Sequence, residues 1–207
     1  MLISLTPILL LEVKQALSIV PGGHFVDLPA TRIAESQASG TFLDIKVDYY
    51  DDLPDGKLNK LNSRYFSHIM GAKLVSLLTK YRITVMTTAG ADGFCGHDDH
   101  IVAHQAALLA QAILVREHGV AIPILALNSN GGGELTVPVD RQRKVKALGY
   151  HASQMPITAE GELAPSFFEA YPHYRPLLER ETYDIILPSV MGATATRYAA
   201  VASVLLP

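Results

Sequence analysis

Apolar and polar positions along the chain switch repeatedly between a helical and a strand period. Over residues 63–80 the apolar side chains fall at Phe66, Ile69, Met70, Leu74 and Leu77 or Leu78. That spacing predicts a helix with one buried face. The run at 83–88 reads as a buried strand, 89–93 as a glycine-rich turn, and 99–118 as an amphipathic helix stopped by Gly119. A strand at 121–127, a loop at 128–133, a basic helix at 139–149, a helix at 165–171 and a late strand at 183–187 follow. Nearer the amino terminus, 8–20 reads as a helix punctuated by Pro21-Gly22-Gly23. Residues 25–28 read as a short strand, 32–39 as a short helix closed by Gly40, and 45–50 as a strand. Strands alternate with helices and no segment repeats. The order predicts an α/β fold, a mostly parallel sheet with helices on both faces.

Composition narrows the class. With 207 residues, 49% of them hydrophobic and 18% charged, the chain can bury one sizeable core and is expected to form a single domain over 1–207. A net charge of -3 supplies no basic face for nucleic acid. The basic run Arg141, Arg143, Lys144 and Lys146 reads as the solvated face of a helix rather than as a seat for an anionic partner. The single cysteine, Cys95, cannot form an internal disulfide, so a cytoplasmic location is expected, with Cys95 as a small packing residue. The apolar run 2–11 lacks a basic flank and is broken by Glu12 and Lys14, well short of the roughly 20 residues a membrane span needs.

Chemistry concentrates in Gly96-His97-Asp98-Asp99-His100 and His104, three imidazoles and two carboxylates in a short stretch. Imidazole nitrogen and carboxylate oxygen suit zinc and similar divalent ions, and His100 with His104 has the i, i+4 spacing of one helix face. The plainer reading stands beside it: Asp98 or Asp99 caps the helix, and His97 and His104 lie on its surface. The position favours a site, because open α/β sheets bind ligands between the carboxyl end of a strand and the following helix.

The same residues resemble the LmbE-like, or PIG-L, family of N-acetylglucosaminyl deacetylases. Gly96-His97-Asp98-Asp99-His100 with His104 matches that family's G-H-x-D-H-x-x-x-H signature. Gly23-His24-Phe25-Val26 resembles its G-H-x-V strand start, Arg32 with Glu35 its R-x-x-E helix, and Leu53-Pro54-Asp55-Gly56 its aspartate turn. Lys146-Ala147-Leu148 leading to His151-Ala152-Ser153-Gln154 resembles its K-x-x-A, H-x-S-Q segment. The resemblance implies a Rossmann-like fold and a zinc-dependent hydrolase that removes acetyl from an N-acetylated amino sugar or its conjugate. By it, His100 is a metal ligand, His97 stabilises the tetrahedral intermediate, and Asp99 orients an imidazole. Arg32 and Asp55 would face sugar hydroxyls or serve the fold. His104 would either support the site from behind or lie on the helix surface.

Members of that family normally open with a strand ending in H-P-D-D-E, which supplies the other metal ligands and the general base. This sequence has no such motif, and its first strand is expected to be missing or replaced by residues 1–11. Three explanations follow: an amino-terminally truncated deacetylase, a degenerate member that only binds sugar or a partner, or ligands drawn from Asp92, His151, His173 or a second subunit. An exposed sheet edge would favour a homo-oligomer. A binding protein whose loops, 128–133 among them, cradle a ligand without turnover is the alternative from another class; that run lacks the ending of a P-loop.

Overall fold

The computed structural model describes residues 28–44, 63–96, 98–128, 130–153, 155–170, 172 and 174–188. The expected elements at 8–20 and 45–50, residues 25–27 of the expected strand 25–28, and the proposed replacement of a first strand lie outside these residues; Leu28 itself opens a helix.

Helix α1 (Leu28–Leu43) is longer than the predicted 32–39. Gly40 does not close it. The glycine is buried inside the helix, next to Ser39, whose Oγ donates to the Ala147 carbonyl at 3.2 Å. The helix ends instead at Asp44, in the left-handed region at φ 60, with its N–H on the Thr41 carbonyl at 3.3 Å. A helix tolerates an interior glycine at a cost of about 1 kcal/mol when packing compensates.

Helix α2 (Ser63–Lys80) has the predicted bounds. After it come strand β1 (Met86–Ala89), the short helix α3 (Gly93–Gly96) and helix α4 (Asp98–His118). Met70, Leu74 and Leu78 of α2 are at most 1% exposed and form one core with Ala106, Ala110 and Leu114 of α4. Both stripes step by four residues, and the small side chains of α4 let the helices approach closely. A Cβ on Gly71 would stand 3.3 Å from the Ala106 carbonyl oxygen, which measures how near the two backbones lie. Met86 of β1 and Ile122 and Ile124 beside and within β2 (Ile124–Leu127) complete this core. Gln111, buried on α4, donates to the carbonyls of Ile122 (2.8 Å) and Ile186 (3.1 Å), fixing the helix across the sheet.

Strands β3 (Leu135–Pro138) and β4 (Arg180–Ile186) complete a sheet of order β1-β2-β4-β3. β1 and β2 run parallel, the geometry of a strand–helix–strand crossover, while β4 pairs antiparallel with both β2 and β3. The described sheet is therefore mixed, with its parallel pair at the end where the histidines lie. β3 is a short, mostly exposed edge strand whose Leu135-Thr136-Val137 alternation is cut off at Pro138, too brief to mark it as a strand in the sequence pattern.

Helix α5 (Arg141–Gly149) begins two residues later than predicted, because Asp140 caps it, accepting the Arg143 N–H at 3.0 Å. Arg141, Arg143 and Lys146 of its basic run are exposed, as a solvated face requires, and Lys144 is half-buried; each also meets a partner. Arg141 pairs with Glu162 at 2.8 Å, Lys144 binds Glu181 and the Leu177 carbonyl, Lys146 sits 5.1 Å over the Phe42 ring, and Arg143 reaches the Leu43 carbonyl. Val145 of α5 joins Leu163, Phe167 and Leu178 in a second core with the short helices α6 (Pro165–Ala170) and α7 (Tyr174–Leu177). Among the described residues no helix is long and apolar enough to cross a membrane.

Candidate functional site

The site is built on the connection from β1 to α4. Its first element is the turn at 90–92, pressed against the carboxyl end of β2. A Cβ on Gly90 would stand 2.6 Å from the Leu127 carbonyl oxygen and 2.8 Å from Asp92 Oδ1, so no other residue fits there undisturbed. Gly96 takes φ +77 just before His97, a conformation that L side chains rarely adopt. The glycine opening the G-H-x-D-H pattern is thus required by the backbone.

Helix α4 then starts with Asp98 and Asp99 in its first turn, where carboxylates complement the helix dipole. Asp99 is fully buried and engaged in a polar interaction, so it is not an ordinary surface carboxylate. His100 follows with Nδ1 2.9 Å from the Gly93 carbonyl oxygen. A carbonyl only accepts, so at this bond Nδ1 carries the hydrogen and Nε2 of the neutral ring carries the lone pair. This is how metal-ligating histidines are commonly held. His104 is 6% exposed and bonds the Ala89 carbonyl through Nδ1 at 2.9 Å, which corrects the reading of it as a surface residue.

Among the described residues no group of three or more histidine, cysteine, aspartate or glutamate side chains is placed to hold a metal ion. His100 has the donor chemistry of one ligand, and an ion there would need further donors from outside the described residues. His97, Asp55 and His173 lie outside them, as does the side chain of Cys95. Asp92 is exposed on the turn and His151 is half-buried.

Two fragments of the sequence pattern meet in space. The Glu35 carboxylate accepts the Ser153 N–H at 2.8 Å and the Ser153 hydroxyl at 2.6 Å, across 118 positions of sequence. The helix bearing Arg32 and the segment bearing His151 are thereby joined. Arg32 is half-buried one turn before Glu35.

The sequence reading missed a polar pair at the end of β2. Asn128 Nδ2 donates to both carboxylate oxygens of Asp184, at 3.0 and 3.1 Å, and its Oδ1 accepts the Asn130 N–H at 3.0 Å. The Asn128 N–H meets the Thr182 carbonyl, and the Thr182 hydroxyl returns to the Asn128 carbonyl. The 128–133 segment is therefore tied down at its start beside the Gly90 turn. An asparagine opening a glycine-rich loop was the available signal.

No protein-family model matches this chain, and no curated protein matches it. Solved structures do. The A40926 pseudoaglycone deacetylase Dbv21 is 21% identical, with a TM-score of 0.52 over 79% of this chain and 73% of that one. The zinc-inhibited form of teicoplanin deacetylase Orf2 is 17% identical, with a TM-score of 0.51 over 80% and 77%. GalB, the 4-carboxy-2-hydroxymuconate hydratase from Pseudomonas putida KT2440, is 12% identical, with a TM-score of 0.54 over 85% and 79%. The likeness is one of fold. It bears out the α/β architecture expected from the sequence, and the presence of a hydratase beside deacetylases leaves the chemistry to the site.

Proposed function

We propose that this chain is a metal-dependent amide hydrolase of the deacetylase type, acting on an N-acetylated amino sugar or sugar conjugate. The observation that carries the reading is His100. It sits in the first turn of α4 within the G-H-x-D-H pattern, with Nδ1 anchored on Gly93 and its lone pair on Nε2, in a fold shared with solved deacetylases. Zinc is the ion the donor chemistry favours, with His100 as one ligand. When bound, such an ion supplies Lewis-acid polarisation of the amide carbonyl and a more acidic water.

The chain's own residues take the remaining roles. Asp99, buried beside His100 in the sequence, keeps an imidazole in one orientation. His97 is the candidate to donate toward the oxyanion as the amide carbonyl becomes tetrahedral. Arg32 and Asp55 are candidates for the sugar hydroxyls. A single domain over 1–207 and a cytoplasmic location belong to this same reading.

Elemental analysis of the purified chain and of His100→Ala, each dialysed against zinc, tests the metal. Release of free amine from N-acetylglucosamine conjugates tests the activity. Near one equivalent of metal that is lost in the variant, with amine release, supports the hydrolase. Metal-free protein that binds the sugar without turnover would replace it with the binding member of the same fold.

A further inference from the structure

Two histidines one turn apart on α4 each hold one end of the same short stretch of backbone. His104 Nδ1 lies 2.9 Å from the carbonyl of Ala89, the last residue of β1, and His100 Nδ1 lies 2.9 Å from the carbonyl of Gly93, the first residue of α3. The four-residue step along the helix matches the four-residue step along the turn. The result is a closed frame, with two side-chain struts bracketing the turn at 90–92.

The frame is stiff. The Gly93 N–H bonds the Gly90 carbonyl at 2.9 Å, and Gly90 has no free space toward Leu127. Displacing Ala89 at the end of β1 therefore displaces the Gly93 carbonyl. His104 itself is 6% exposed and shares α4 with the buried Val102, Ala106 and Ala107. A polar ring at that depth is retained only when a bond justifies it.

We propose that His104 is a positioning residue for His100. Its Nδ1–H holds the carboxyl end of β1 against α4, which sets the place of the Gly93 carbonyl and so the tautomer and orientation of the His100 ring. The proposal builds on the reading of His100 as a metal ligand, but the state of its ring is measurable without metal.

The test uses the full chain and its His104→Ala, His104→Asn and His104→Gln variants, with His100→Ala to assign signals. Asparagine places an amide N–H near the position of histidine Nδ1, and glutamine places one near Nε2. Imidazole ¹⁵N spectra of metal-free protein read the His100 tautomer, cobalt(II) titration reads the affinity of the site, and thermal melts show that each variant is folded. The expected wild type has His100 in a single Nδ1–H form. His104→Ala averages that form and weakens cobalt binding by about 10–100-fold. Asparagine restores both and glutamine does not.

Unchanged His100 shifts and unchanged cobalt affinity in His104→Ala would overturn the proposal. Rescue by glutamine alone would overturn it too, since Nε2 would then be the working atom. Should the wild type bind no cobalt, the metal reading fails and the tautomer arm decides this one. Should the alanine variant not fold, the asparagine and glutamine pair decides.

Discussion

Gly90→Ala examines how tightly the site turn is clamped to the sheet. The added Cβ would lie 2.6 Å from the Leu127 carbonyl oxygen, far inside the 3.4 Å at which ordinary contact begins, and 2.8 Å from Asp92 Oδ1. The Asp92 side chain can turn away. The Leu127 carbonyl cannot, because it belongs to β2, which is paired on both sides. Relief must come from the turn or from the ends of the strands, and overpacking of this kind costs about 1–3 kcal/mol. In a chain of this size each kcal/mol lowers the melting temperature by about 2–4 °C. Gly132→Ala is the matched control, since its Cβ meets nothing within 4 Å. Surface changes of that sort stay within about 0.5 kcal/mol. Differential scanning calorimetry of the two variants beside the wild type should show a clear fall for Gly90→Ala and almost none for Gly132→Ala. Equal melting temperatures would refute the clamp.

Other perturbations follow from the packing. Leu114→Ala empties a site that is 1% exposed at the centre of the α2–α4 core, and guanidinium unfolding should show a loss of about 2–5 kcal/mol. Gln111→Leu takes the side-chain donor from the Ile122 and Ile186 carbonyls and should cost about 1–3 kcal/mol, read as a lower urea midpoint at an unchanged slope. Burial, reinforced by the Glu181 carboxylate that accepts its hydroxyl, holds the Tyr183 phenol well above its ordinary value of 10.0. The folded chain thus keeps a proton that the unfolded chain releases, so this contribution is intact below about pH 10 and is lost as the pH rises further. Chemical unfolding across that range should show a gentler decline for Tyr183→Phe than for the wild type; parallel declines would remove Tyr183 from the linkage.

What the sequence determined by itself is whatever rests on local rules. The periodicity of 63–80 and 99–118 placed α2 and α4 to within a residue, because their apolar stripes serve one continuous core. The glycine-rich turn after β1 and the histidine cluster after it were legible for the same reason: the constraints on Gly90 and Gly96 act within a few residues, or on the adjoining strand. Tertiary structure decided the rest. Gly40 reads as a helix stop, but packing of α1 beside Ala147 carries the helix past it. The edge strand β3 carries only a brief alternation broken at Pro138, and its hydrogen bonds come from the distant β4. The cations of α5 stay on a largely exposed face as their spacing implies, but only the fold brought Glu162, Glu181 and Phe42 to them. The hydrogen-bond partners of the histidines were set in the same way. Spacing put His100 and His104 on one helix face, but only the fold brought the carbonyls of Gly93 and Ala89 to their rings, because a strand end and a helix meet there through packing that no local pattern encodes.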